Sequence, residues 1–98
     1  MEKRFSCPLM GTKYYTVERP KVGDTVLLVP EPKNEFDENA IAVYNSALEQ
    51  VGYVRQRANT SRYVASKLKG KPAYAQISHS DSDKDNPIIL IDIRFLAD

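Results

Sequence analysis

Ala40-Ile41-Ala42-Val43-Tyr44-Asn45-Ser46-Ala47-Leu48-Glu49-Gln50-Val51-Gly52-Tyr53-Val54 reads as two short strands around a turn. Successive side chains of a strand alternate between faces, so Ile41 and Val43 share one face and Ala40, Ala42 and Tyr44 the other. Asn45 and Ser46 open the turn, and Gln50 to Val54 returns as the hairpin partner.

Outward from this hairpin, turn residues recur every ten or so positions, the rhythm of short strands. Asp24 to Val29 is aliphatic and β-branched, begins after a turn at Gly23 and stops at Pro30. Phe5 to Met10 is a further strand, interrupted by Pro8. Downstream, Ser61 to Lys69 is a short helix. Asn59, Thr60 or Ser61 can cap its start, Gly70 suits the left-handed position after its end, and Val64, Ala65 and Leu68 mark its buried stripe. Ala73 to Ser78 and Ile88 to Leu96 are the last strands, joined by the polar loop Ser80 to Asn86. Five or six strands with one or two short helices predict a mainly β fold, a small barrel or curled sheet.

The 98 residues suit one domain spanning 1–98, and 42% hydrophobic residues with a net charge of +1 fit a folded chain. Balanced charge removes the simplest argument for nucleic-acid binding, so any such activity rests on a local patch. Cys7 is the single cysteine, which excludes an intrachain disulfide, a zinc ribbon and a CxxC redox pair. Neither a signal peptide nor a run long enough to span a bilayer is visible, so a cytoplasmic protein with no membrane partner is expected.

Few routes to catalysis are open. There is no P-loop and no GxSxG elbow, and Cys7 with His79 forms a thiol dyad only if folding brings them together. Asp81-Ser82-Asp83-Lys84-Asp85 has the alternating carboxylates of a calcium loop, but Asn86 replaces the turn glycine and Pro87 precedes strand sequence, so a solvated hairpin loop is expected. The expectation is a protein without cofactors or catalytic activity.

Three stretches could carry binding. Pro30 to Ala40 is stiffened by two prolines, and Asn34, Asp37 and Asn39 can accept bonds from nearby amides. It is either an Asx-rich turn or the rim of a polar pocket, with Phe36 as wall or stacking surface and Asp37 as acceptor for a sugar hydroxyl. Lys13-Tyr14-Tyr15, read as strand, turns one tyrosine outward beside a lysine, the pairing of a single-strand platform. Arg55, Arg57 and Arg62 with Lys67, Lys69 and Lys71 are either a solvated helix face or a phosphate-tracking surface.

The order Lys13-Tyr14-Tyr15, Gly23-Asp24 opening a strand, Glu31 to Tyr44 (EPKNEFDENAIAVY) and Gln50-Val51-Gly52-Tyr53-Val54 closely resembles the HIRAN family. HIRAN domains occur fused to SNF2-type remodelling ATPases and as free-standing bacterial proteins, and this chain looks like the second kind. The resemblance implies an OB-like barrel that, in the eukaryotic relatives, captures the 3′ end of single-stranded DNA. By position, Lys13 would meet phosphate, Tyr14 and Tyr15 would wall or stack on the end nucleotide, and Asp37 would accept a bond from the 3′ hydroxyl. Phe36 stands at the family's aromatic position, and Asn34 and Asn39 would shape the pocket loop. The chain departs from those relatives at four positions. Lys13 replaces an arginine, and Tyr53 occupies a place where the relatives can carry histidine, with Arg55 or Arg57 standing in for a nearby lysine. The aromatic of the late hairpin has no counterpart among Ser78 to Asn86. Repair or fork processing is the implied setting. The competing expectation is a peptide-binding module, for a partner such as a DNA-processing protein, in which Tyr14, Phe36 and the Pro30–Pro32 loop form the contact surface.

Overall fold

The structure is a computed structural model that describes residues 2–81 and 83–96, so Ser82 of the acidic loop lies outside the described residues. Six strands form among them: β1 (Glu2–Met10), β2 (Thr25–Pro30), β3 (Ile41–Tyr44), β4 (Gln50–Val54), β5 (Ala73–Ser80) and β6 (Ile89–Leu96). All pair antiparallel in the order β1-β4-β3-β2-β5-β6, and β6 returns to β1, so the expected barrel closes. β1 serves two neighbours: its first residues run beside β6 as far as Pro8 opposite Leu90, then Leu9 and Met10 pair with Val54 and Tyr53. Pro8 therefore stands where the strand changes partner. It has no amide to donate, and its carbonyl accepts from Arg55 N at 3.0 Å.

Alternation builds the core from Cys7, Leu9, Val26, Leu28, Ile41, Val43, Val51, Val54, Ala75, Ile77, Ile89, Ile91 and Ile93. Ala42 departs from that pattern. It points away from the core yet is fully buried, because its small side chain lies between two larger cross-strand neighbours, Val29 and Tyr53. Gly52 marks a tight crossing: a Cβ there would lie 2.4 Å from the Met10 carbonyl oxygen and 2.9 Å from Leu9 Cδ1. The absence of a side chain is what allows β1 to lie against β4.

The hairpin turn is organised by Asn45, whose Oδ1 accepts from Ala47 N at 3.0 Å and Glu49 N at 2.9 Å. Leu48 completes it with φ 62°, a left-handed conformation that costs a side-chain-bearing residue about 1–2 kcal/mol. Leu48 is 69% exposed and has little packing to lose. Leu48→Gly is therefore expected to stabilise the fold by about 0.5 kcal/mol after glycine's own entropy cost, a Tm rise of roughly 2–4 °C. A lower Tm in a thermal melt would show that the leucine side chain contributes more than its backbone costs.

The helix α1 (Thr60–Leu68) follows a 3-10 turn at Arg57–Asn59. Its capping differs from expectation. Asn59 holds the N-cap position at φ 59° without a side-chain cap bond, because its backbone is left-handed, and the Thr60 hydroxyl donates to Arg57 O at 2.9 Å instead. At the other end, the left-handed step begins at Lys69, before Gly70. Val64 enters the core as expected, with Ala65 and Leu68 packed against it, and Ser61 is buried beside them. Tyr63 packs on Phe5 with ring centroids 4.8 Å apart and planes tilted by 46°, and meets Phe95 edge-on at 6.3 Å.

Cys7 is wholly buried, and burial pushes its thiol from the usual 9.0 up to about 12, so it is a core residue and not a nucleophile. His79 instead pairs with Asp81, Nε2 to Oδ1 at 3.3 Å. Below pH 9 the Cys7 thiol is protonated in folded and unfolded chains alike. Between pH 9 and about 12 the unfolded thiol ionises and the buried one does not, so stability falls as pH rises through that window. Urea melts across it are expected to show a shallower alkaline loss for Cys7→Ala than for the parent. Equal slopes would mean the thiol ionises in the folded state. In the acidic loop, Asp81 also pairs with Lys84 Nζ at 3.6 Å, so its carboxylate lies between the His79 imidazole and the Lys84 ammonium.

Candidate nucleic-acid interface

The site begins where β1 ends. Gly11 adopts φ 80°, which only glycine takes at little cost, and turns the chain out of the barrel into a 3-10 turn at Thr12–Tyr14. Lys13-Tyr14-Tyr15 is thus not a strand, and the two tyrosines are not set on opposite faces of a sheet. Tyr14 stands 78% exposed, with Lys13 Nζ 5.2 Å from its ring centroid, while Tyr15 is half-buried.

Folding joins this turn to the end of β4. Met10, Gly11, Tyr14, Tyr15, Tyr53, Arg55 and Arg57 line one groove of about 490 Å³. Three rings and two guanidinium groups from segments some forty residues apart thereby share a surface. That combination offers faces for stacking and charges for phosphate. Across the Tyr14 ring lies a second depression of about 340 Å³, lined by Lys13 together with Asp85, Asn86 and Pro87 of the β5–β6 loop. Lys13 is therefore separated from the arginines by the tyrosine ring.

The Pro30–Ala40 loop is tied to the groove by a residue that the sequence reading passed over. Glu31 Oε1 accepts from the Tyr53 hydroxyl at 3.0 Å and from Asn34 Nδ2 at 3.0 Å. Asn34 Oδ1 accepts from Phe36 N at 2.8 Å and Asp37 N at 3.1 Å, and Asp37 Oδ1 accepts from Asn39 N at 2.8 Å. Asn34 and Asp37 are thus loop builders in this state, which is the Asx-turn reading. The Asn39 amide bonds to one Asp37 carboxylate oxygen, Oδ1, and not to the second. Phe36, Asp37 and Asn39 do not line the groove, and the Phe36 ring is 95% exposed and so walls no pocket here.

Both half-buried phenols stay neutral well into alkaline pH. Burial raises Tyr15 above its ordinary value, reinforced by Tyr53, Glu31 and Tyr44. For Tyr53 the Gln50 amide pulls downward, but burial and the Glu31 carboxylate outweigh it, and the balance is upward. Neutral phenols are hydrogen-bond donors that do not repel a phosphate. The basic stretch divides: Arg55 and Arg57 face the groove, whereas Lys67 Nζ lies 5.5 Å from the Tyr63 ring centroid and 5.4 Å from that of Phe95. Among the described residues no group of three or more His, Cys, Asp or Glu is placed to hold a metal, and no helix is long and apolar enough to cross a membrane.

A closed antiparallel barrel carrying an aromatic, arginine-edged groove defines a small β-barrel binding module. The profile of the HIRAN domain matches residues 3–73, and the chain belongs to the HIRAN family, which is known as a DNA-binding module. Two solved structures share the fold. One is a protein from Lactobacillus plantarum, at 23% identity over 94% of this chain and 97% of that one, TM-score 0.65. The other is the HIRAN domain of human HLTF, at 21% identity over 93% of this chain and 74% of that one, TM-score 0.62. Curated protein sequences give no significant match.

Proposed function

We propose that this chain is a non-enzymatic module that binds single-stranded DNA and receives the strand's 3′ end in the groove between the Gly11–Tyr15 turn and the end of β4, serving DNA repair or replication-fork processing in the cytoplasm. The observation that carries this reading is the meeting of Tyr14, Tyr15 and Tyr53 with Arg55 and Arg57 in one groove. Rings accept bases of any sequence, and guanidinium groups neutralise the backbone. The resemblance to the DNA-end-binding relatives supplies the polarity: the terminal nucleotide would reach past the groove lining, so that its hydroxyl meets Asp37 in the neighbouring loop that Glu31 ties to Tyr53 and whose shape Asp37 Oδ1 maintains.

The test is fluorescence anisotropy with a short labelled strand ending in a 3′ hydroxyl, against the same strand ending in a 3′ phosphate. The hydroxyl-ended strand is expected to bind about tenfold tighter, the worth of one hydrogen bond to a charged acceptor. Asp37→Asn keeps an oxygen for the Asn39 amide but loses the charge, and it is expected to narrow that preference. Equal binding of the two ends would refute end recognition. Binding of neither strand at low salt would refute the nucleic-acid reading and leave the peptide-binding alternative, whose apolar contacts respond little to salt.

A further inference from the structure

The loop that carries Asp37 is closed at its base by one backbone bond, Glu31 N to Ala40 O at 2.8 Å, just beyond the last β2–β3 pair, Pro30 opposite Ile41. Above that base the loop is bonded to itself. Asn34 N donates to Glu31 O at 3.0 Å and Ala40 N to Asp37 O at 3.0 Å, while the Asn34 and Asp37 side-chain oxygens take the Phe36, Asp37 and Asn39 amides. These bonds fix the shape of the loop but not where it stands relative to the groove. Packing adds little, since Pro32, Lys33, Glu35, Phe36 and Glu38 are all exposed.

Among the described residues, a single hydrogen bond runs from this loop to a wall of the groove, the Tyr53 hydroxyl to Glu31 Oε1 at 3.0 Å. The same oxygen accepts from Asn34 Nδ2 at 3.0 Å, and Asn34 Oδ1 accepts from the amide of Asp37. Tyr53, Glu31, Asn34 and Asp37 thus form an unbroken relay from a ring of the groove to the residue assigned the terminal hydroxyl. A carboxylate suits the junction, because one charged oxygen can accept from two donors and its bonds are stronger than those between neutral groups.

We infer that Glu31 is a positioning residue for end recognition: by binding the Tyr53 hydroxyl and the Asn34 amide at one oxygen, it holds Asp37 in place relative to the rings of the groove. The inference rests on the proposed end capture and adds that stacking in the groove and capture at Asp37 are coupled through Glu31, which itself touches neither base nor hydroxyl.

The experiment compares a short fluorescein-labelled strand ending in a 3′ hydroxyl with the same strand ending in a dideoxynucleotide, so that the two differ by one hydroxyl and by no charge. The parent is expected to bind the hydroxyl-ended strand about tenfold tighter. Tyr53→Phe keeps the ring and removes the donor, Glu31→Ala removes the acceptor, and each is expected to reduce the preference to about threefold. The double variant is expected to stay at about threefold, because both changes break one relay. Glu31→Gln keeps an acceptor oxygen and is expected to retain nearly the parent's preference. A variant that is merely less stable weakens both strands by the same factor and leaves the ratio unchanged. A second measurement needs no DNA. Amide exchange at Phe36 and Asp37, followed by NMR, is expected to quicken about threefold in Tyr53→Phe and Glu31→Ala and to match the parent in Glu31→Gln.

An unchanged ratio in both single variants, or a double variant with no preference left, overturns the coupling. If Glu31→Gln loses as much as Glu31→Ala while Tyr53→Phe loses nothing, the carboxylate acts by its charge and the positioning role is refuted. Unchanged exchange in Tyr53→Phe refutes it as well, since the loop then holds its place without the bond. If the parent does not distinguish the two strands while exchange quickens as expected, end capture fails and the positioning of the loop by Glu31 stands.

Discussion

Gly52→Ala is expected to destabilise the barrel by about 3 kcal/mol, lowering Tm by roughly 12–24 °C in a thermal melt followed by circular dichroism. An alanine replacing glycine usually stabilises a protein slightly, because it restricts the unfolded chain. Here geometry reverses the sign. The added Cβ would come within 2.4 Å of the Met10 carbonyl oxygen, which is backbone and cannot rotate away, and within 2.9 Å of Leu9 Cδ1. Relief requires β1 to move off β4 at the point where Leu9 and Met10 hold the barrel closed. Since a domain of this size is stable by about 5–15 kcal/mol, the loss is a large fraction of the whole. Met10 and Gly11 also line the groove, so the variant is expected to bind DNA more weakly even where it remains folded. A Tm within a few degrees of the parent would show that β1 does not press on Gly52.

Tyr14→Ala should have the opposite profile, a large loss of binding with little loss of stability. The ring is 78% exposed, so its removal is expected to change folding by no more than about 0.5 kcal/mol. A stacked base contributes about 1–3 kcal/mol, which translates into a rise in Kd of roughly 5- to 150-fold for a single strand in anisotropy titrations. Lys13 Nζ sits 5.2 Å from the ring centroid, so Tyr14→Ala also releases the ammonium that the ring holds in place. Tyr14→Phe keeps the stacking face and the cation contact and is expected to bind nearly as the parent does. Unchanged affinity in Tyr14→Ala would remove the most exposed ring of the groove from the interface.

Much of the fold was legible in local sequence. All six strands were readable, most with ends displaced by a residue or two, because their inward positions are aliphatic and their ends are marked by Gly, Pro or Asn. Asn34 and Asp37 bind amides two or three residues away, and such short-range bonds are written in the residue types themselves. Gly11 was a sign that the chain leaves β1 before Lys13, and the strand reading of Lys13-Tyr14-Tyr15 ignored it.

What the sequence by itself determined is therefore what neighbouring residues settle among themselves: strand periods, the hairpin, the short helix, the self-bonded loop and the family motif that runs through them. Only the tertiary structure decided which of the candidate residues meet. Closure of the barrel sets the Gly11–Tyr15 turn beside Tyr53, Arg55 and Arg57. Closure also places Glu31 under the Tyr53 hydroxyl, leaves Phe36 in solvent, and aligns Tyr44, Leu27 and Tyr74 across three strands. Backbone preferences act over a few residues, whereas these contacts join positions from 17 apart, Leu27 and Tyr44, to 47 apart, Leu27 and Tyr74. Their register is fixed by burial of the aliphatic face and by the close crossing at Gly52, neither of which any single segment contains.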